Sequence, residues 1–161
     1  MSLNPFATSG TKIYIAAAVS SEPANAAAYA ALTWVEIGNI ASYAPLGDKV
    51  NIINAPVVGD SRVRKAAGSR DAGDVTLKLY PDDTDSGQTA LVAAAVTNST
   101  YPFRLDYPAA SKITVPGGTV AKRYFLAVVA GGQESPGGNE DIITAEYTLA
   151  VTTQITRVAA T

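Results

Sequence analysis

Asp141–Val158 reads DIITAEYTLAVTTQITRV. Its odd positions carry Ile143, Ala145, Tyr147, Leu149, Val151, Thr153 and Ile155, and its even positions Thr144, Glu146, Thr148, Ala150, Thr152, Gln154 and Thr156. One apolar face and one polar face alternating with period two specify a β-strand covered on one side only. Sustained over about fifteen residues at roughly 3.3 Å each, such a strand spans on the order of 50 Å, against about five or six residues for an ordinary strand. A strand of that reach suits a chain that walls off a space or joins neighbours into a larger sheet.

The segments upstream supply partners for it. Asp74–Tyr80 (DVTLKLY) alternates cleanly, with Val75, Leu77 and Leu79 inward and Thr76, Lys78 and Tyr80 outward. Tyr101–Tyr107 sets Tyr101, Phe103, Leu105 and Tyr107 on one face. Lys12–Val19 and Thr33–Ile40 (TWVEIGNI) read as strands, with Trp34 as an anchor on a sheet face. Ser111–Val115 and Val120–Ala130 read as a pair joined at Pro116-Gly117-Gly118, and Gly131–Asn139 as a connector. One helix is expected over about 86–97, capped by Asp85 with Gln88 three residues on completing a capping box, and with Leu91, Ala94 and Ala95 as a slim apolar stripe. Ser20–Ala31, Ala-rich with Pro23, reads as a loop or as a short helix starting after the proline. Seven to nine strands and one helix make a single mainly-β domain over 1–161. The expected form is an antiparallel β-sandwich or barrel with one short α-helix and a long loop or hairpin extension.

That extension is 41–73, punctuated by Pro45, Gly47, Pro56, Gly59, Gly68 and Gly73 and holding two strand-like pieces, Val50–Val58 and Arg62–Ala66. A loop of about thirty residues in a small domain is usually functional or ordered by a partner. It carries Asp48, Asp60, Arg62, Arg64, Lys65, Arg70 and Asp71. Interleaved acids argue against nucleic-acid binding by these cations and for charge pairing with a complementary protein surface.

Composition removes several chemistries. With no Cys and no His, the chain has no disulfide, thiol nucleophile, Cys/His zinc site or His-based acid–base catalysis. A net charge of −2 gives no global field toward phosphates, and a charged fraction of 16% leaves a surface that loses little when a partner buries it. The acidic run Asp82, Asp83, Asp85 matches a calcium loop only at Asp82 and Gly87, and Ala93 stands where a bidentate Glu is required. It reads instead as carboxylates at a helix N-terminus. No phosphate-binding or nucleophile-elbow motif occurs, and nothing nominates a catalytic carboxylate pair, so neither an enzyme nor a cofactor is expected. No stretch predicts a membrane span or a secretory signal, which makes the Asn98-Ser99-Thr100 sequon a chance match and implies synthesis in the cytoplasm.

The order of these segments resembles the major tail (tail tube) proteins of long-tailed bacteriophages. It runs through TWVEIGNI (Thr33–Ile40), a long polar loop, DVTLKLYPDDTDSGQTALVAAA (Asp74–Ala95), YPFRLDYP (Tyr101–Pro108), RYFLAVVAGG (Arg123–Gly132) and the Thr-rich terminal strand. The Ala-rich insert Ser20–Ala31 departs from that pattern. The resemblance implies a structural virion subunit, made in the bacterial host, that forms hexameric rings stacked into a hollow tube. Such a tube surrounds a tape-measure protein, meets tail-tip and tail-terminator proteins, and later conducts DNA. It also implies that 41–73 reaches a neighbouring ring. The even-numbered face of the last strand, with Thr144, Glu146, Thr148, Thr152 and Gln154, is the candidate lumen face. The rivals are another virion β-sandwich, such as a tail terminator or decoration protein, and a carbohydrate- or receptor-binding β-sandwich.

Overall fold

Ile143 opens the terminal segment half exposed, outside the apolar face to which its odd position assigned it. The strand that follows does alternate. In the computed structural model, which describes residues 9–59, 61–108 and 118–160, Ala145, Tyr147 and Leu149 are buried and Glu146 points outward. They belong to the ninth of ten strands, which with two helices run in the order β1 (Lys12–Ile15), α1 (Ala26–Ala30), β2 (Val35–Ile37), β3 (Ile40–Tyr43), β4 (Lys49–Ala55), β5 (Arg64–Asp71), β6 (Asp74–Leu79), α2 (Ser86–Val96), β7 (Thr100–Asp106), β8 (Lys122–Ser135), β9 (Thr144–Val151) and β10 (Thr156–Val158) among the described residues.

The single fifteen-residue strand expected here is divided into β9 and β10, both antiparallel to β8. From the Ala127–Val151 pair to the Tyr124–Thr156 pair, β8 advances three residues and the terminal segment five. The excursion is held by Thr152 N–H donating to the Leu126 carbonyl at 2.9 Å and by Leu126 N–H donating to Thr153 Oγ1 at 3.0 Å. Two extra residues preserve parity, so Ile155 returns to the buried side.

The antiparallel sheet has eight strands in the order β2-β1-β7-β8-β9-β6-β3, with β10 beside β8. Laid flat, its edge strands would stand about 29 Å apart at roughly 4.8 Å per step. Only Gly38 and Asn39 separate β2 from β3, so Ile37 and Ile40 lie no more than about 11 Å apart. The sheet therefore curls enough to bring its two edges together where β2 passes into β3, a form compatible with the expected sandwich or barrel. Asn39 makes the turn with φ 56°, and the Tyr43 hydroxyl on β3 donates across the seam to the Thr11 carbonyl at 2.8 Å.

Ile13, Ile15, Leu77, Phe103, Phe125 and Leu149 fill the curl, and α2 packs Leu91 and Ala94 against them. On the outer face, Tyr29 of α1 stacks on Tyr124 with ring centroids 5.2 Å apart, beside Leu126 and Trp34. The Ala-rich insert is thus a cover for the back of β8, started by Asn25, whose Oδ1 accepts from Ala28 N–H. Burial on both sides explains why Tyr124–Ala127 is continuously apolar rather than alternating. Trp34 precedes β2 and joins that cluster, donating Nε1–H to the Tyr29 carbonyl at 3.1 Å.

Two further expectations are corrected. Gly131–Ser135 continue β8 past a bulge instead of opening a connector, Gly131 taking φ 157° and Gly132 lying flush beneath the Tyr147 ring. Gln88 does not close a capping box. Asp85 Oδ1 caps Gly87 and Gln88 N–H at 2.7 and 3.0 Å, while the Gln88 side chain turns inward to other partners. The expected strand Ser111–Val115 lies outside the described residues.

Candidate assembly surfaces

Within 41–73, residues 41–43 complete β3 of the main sheet and Lys49–Asp71 form the hairpin alternative of the expected extension. Strands β4 and β5 run antiparallel from Lys49 opposite Asp71 to Ala55 opposite Arg64, with one irregularity between Val50 and Ile52. They form a two-stranded sheet of their own. Along both strands only Val50 and Gly68 are even partly covered. Ile52, Ile53, Val57, Val58 and Val63 are 49, 54, 49, 105 and 53% exposed. A lone two-stranded ribbon is marginal in water, and fully covering one such side chain contributes about 1.5–3 kcal/mol. This element presents apolar surface that its own subunit leaves bare.

The charged residues sort along it. Arg62, Arg64 and Lys65 stand toward the tip, and Asp48, Arg70 and Asp71 at the base, while Asp60 lies outside the described residues. Asp71 Oδ1 accepts from Gly73 N–H at 2.9 Å, and Gly73 at φ 69° turns the chain into β6. At the base, Asp48 and Arg70 share a hollow with Gln154, Ile155 and Arg157, and Asp71 lines an adjoining one with Thr152 and Thr153. The structure therefore brings part of the hairpin set together with Thr152 and Gln154, which the sequence assigned to a different surface.

The remaining even residues of β9 do share a face. Lys78 and Gln133 stand opposite Glu146 on its two sides, Thr76 and Gly131 opposite Thr148, and Ser135 opposite Thr144. Directly opposed residues point the same way. The result is a polar wall in which one cation faces one anion. Thr76 and Lys78 were legible as outward residues of their strand, whereas Gln133 was hidden by the glycines before it.

The acidic turn is structural. Asp82 Oδ1 accepts from Thr84 N–H and Oγ1–H at 2.9 and 2.6 Å and Oδ2 from Asn39 Nδ2 at 3.2 Å, and these bonds, those of Thr84 first, hold its carboxyl below the usual range. Gln88, 6% exposed, accepts from Asp82 N–H at 2.9 Å and donates to the Gly38 and Tyr80 carbonyls at 3.1 and 3.0 Å. Asp85 Oδ2 accepts from Gly38 N–H at 2.9 Å. The start of α2 thus pins the seam turn to the end of β6. Among the described residues no cluster of three or more acidic, His or Cys side chains could hold a metal ion, and no helix is long and apolar enough to cross a membrane.

The fold is shared with known tubes and their relatives. A chain of the anti-feeding prophage (AFP) baseplate superposes with TM-score 0.70 at 10% identity, over 99% of this chain and 98% of that one. The SPP1 tail tube gives 0.62 at 13% identity, over 96% and 80%. A chain of the PVC sheath–tube complex of an extracellular contractile injection system, in its extended state, gives 0.59 at 13% identity, over 96% and 92%. No curated protein sequence matches. The profile of the phage tail tube protein (TTP) family matches residues 16–160, nearly the whole length. The chain belongs to the phage tail tube protein family, as a structural component of the virion tail and not an enzyme.

Proposed function

We propose that this subunit, as one domain over 1–161, assembles into hexameric rings that stack into the tail tube and form the conduit for DNA. In this reading β4 and β5 make the contact with a neighbouring subunit, through Asp48, Arg62, Arg64, Lys65, Arg70 and Asp71, with Asp60 between them in sequence. The polar wall of Thr144, Glu146 and Thr148 faces the lumen. The tape-measure protein lies inside, and tail-tip and tail-terminator proteins close the two ends. The observation that carries the proposal is the hairpin, a paired ribbon with five exposed aliphatic residues. The lumen assignment is supported by the opposition of Lys78 to Glu146, which leaves the wall without the excess positive charge that would hold phosphates. In this reading Thr152 and Gln154, which line a hollow with Asp48, Arg70 and Asp71, go with the hairpin contact.

The test replaces Val50–Arg70 by a short Gly/Ser turn. Because the ribbon pairs with no strand of the main sheet, the shortened subunit keeps its fold by circular dichroism and loses the ability to form tubes in negative-stain images. Long tubes from the shortened chain would overturn the proposal. So would an intact chain that forms one ring and never stacks, even with tail-tip complex added, an outcome that points to a terminator.

A further inference from the structure

We infer that the hairpin of one copy is received by an acid-rimmed hollow at the far end of the next copy, between the start of α2 and the ends of β6, β8 and β9. This rests on the reading that the hairpin docks on a second copy of this chain. The hollow, of about 280 Å³, is floored by Leu79 and Tyr147, walled by Val92, and rimmed by Asp82, Asp83 and Glu134. Val92 is half exposed, an apolar residue on the open side of a helix. Among the described residues no Lys or Arg lines the hollow. The segment Pro56–Lys65 offers the converse, Val57, Val58 and Val63 with Arg62, Arg64 and Lys65 against the one acid Asp60. Apolar residues meeting an apolar floor inside a ring of opposite charges is the arrangement that gives both affinity and register.

Topology places the base of the hairpin and the hollow at opposite ends of β6. The hairpin ends at Asp71, three positions before β6 begins at Asp74, and β6 runs from there to Leu79, next to the hollow. Leu79 stands opposite Ala145 on β9, and Ala145 opposite Glu134 on β8. Six residues of β6, about 20 Å, therefore separate the hairpin base from the hollow. A projection at one end and its receptor at the other make a head-to-tail contact, which propagates along an axis without closing.

The other hollows fit the hairpin less well. The seam hollow beside β2 and β3 has its charges already paired, Lys12 Nζ to Glu36 at 3.0 Å. The hollow at the hairpin's own base mixes Asp48 with Arg70 and Arg157. The hollow along the outer face of β8 and β9 carries a single acid, Glu146.

Charge reversal tests this in the intact chain. Asp82 is spared because it holds Thr84 and Asn39. D83K/E134K reverses the rim, R62E/K65E reverses the tip, and the quadruple variant reverses both. Each double variant should raise the concentration needed for tubes by about tenfold or more, and the quadruple variant should recover most of that loss. A second measurement uses the absence of native cysteine. V58C/V92C tubes treated with a short bifunctional thiol cross-linker should give a multimer ladder on a denaturing gel, which neither single variant gives. If the rim variant polymerises like the parent and V58C/V92C yields no ladder, while the shortened hairpin still abolishes tubes, the hollow is not the receptor although the docking reading stands. If the shortened chain forms tubes, the docking reading itself falls.

Discussion

Replacing Gln88 by alanine removes three hydrogen bonds at one point. Asp82 N–H and the carbonyls of Gly38 and Tyr80 all lose their partner, in a site where Gln88 is 6% exposed. Each such bond contributes about 1 kcal/mol net, and orphaning partly buried backbone groups adds to that, so the expected loss is about 3–5 kcal/mol. For a chain of this size that corresponds to roughly 6–20 °C in melting temperature. The assay is urea unfolding followed by the fluorescence of the single Trp34, with the midpoint shifting and the m-value unchanged. Q88E separates hydrogen bonding from shape. At neutral pH its carboxylate can accept from Asp82 N–H but turns an anion toward two carbonyls, so it should be no more stable than Q88A. Burial and carbonyl neighbours raise its folded pKa above the unfolded value, so its stability should recover as pH falls and the acid form donates to one carbonyl. A loss below about 1 kcal/mol for Q88A would refute the clamp, because water would then be replacing all three partners.

Three more outcomes are expected. Burial, with the charge of Glu36 second, pushes the Tyr43 hydroxyl up to about 12 from 10.0, so its contribution is intact below pH 10 and is lost as pH rises toward 12; solvent screening at this half-buried group leaves a loss of about 1 kcal/mol, and Y43F should flatten the decline above pH 10. Gly87→Ala gains about 1 kcal/mol of helix propensity yet drives a methyl into the Glu36 carbonyl and Ile37 backbone, so chemical unfolding should show a net loss of about 2 kcal/mol or more. I52D/I53D changes half-exposed residues of the ribbon that lie outside the core; calorimetry should find stability within about 1 kcal/mol of the parent, and microscopy no tubes.

What the sequence showed tracks how locally each element is determined. Strand β6 and helix α2 lie where alternation and the Asp85 cap place them, because one face of each packs and the other meets water. The hairpin was only half legible. Lys49–Ala55 and Arg64–Asp71 have no buried face in the subunit, so no period of two was imposed on them. Strand β8 was cut short on paper at Gly131, since glycine there reads as a breaker; in place it permits the bulge and the close approach of the Tyr147 ring. Gln88 was noticed for a local role, but its partner Gly38 lies 50 residues away across the seam, which no spacing rule reveals. The division of the terminal strand was equally invisible, because an excursion of two residues leaves the odd-even pattern unbroken.

The separation of body and ribbon bears on when polymerisation starts. The curled sheet fills its own core from its own strands and helix α2. In the proposed reading the ribbon gains from a neighbour, because docking would bury the aliphatic residues it exposes. Each docking must also offset the loss of freedom of both partners, which leaves a single contact weak. A contact near 1 mM, about 4 kcal/mol, would hold few subunits together in solution. Under the proposed ring stacking, the first ribbon to dock brings the others of the same ring to their hollows at high effective concentration, and the ring binds far more tightly than one subunit does. A preformed ring is then a much better template than a free monomer, so tube growth should begin at an existing ring and proceed in one direction from the end whose complementary surface is free.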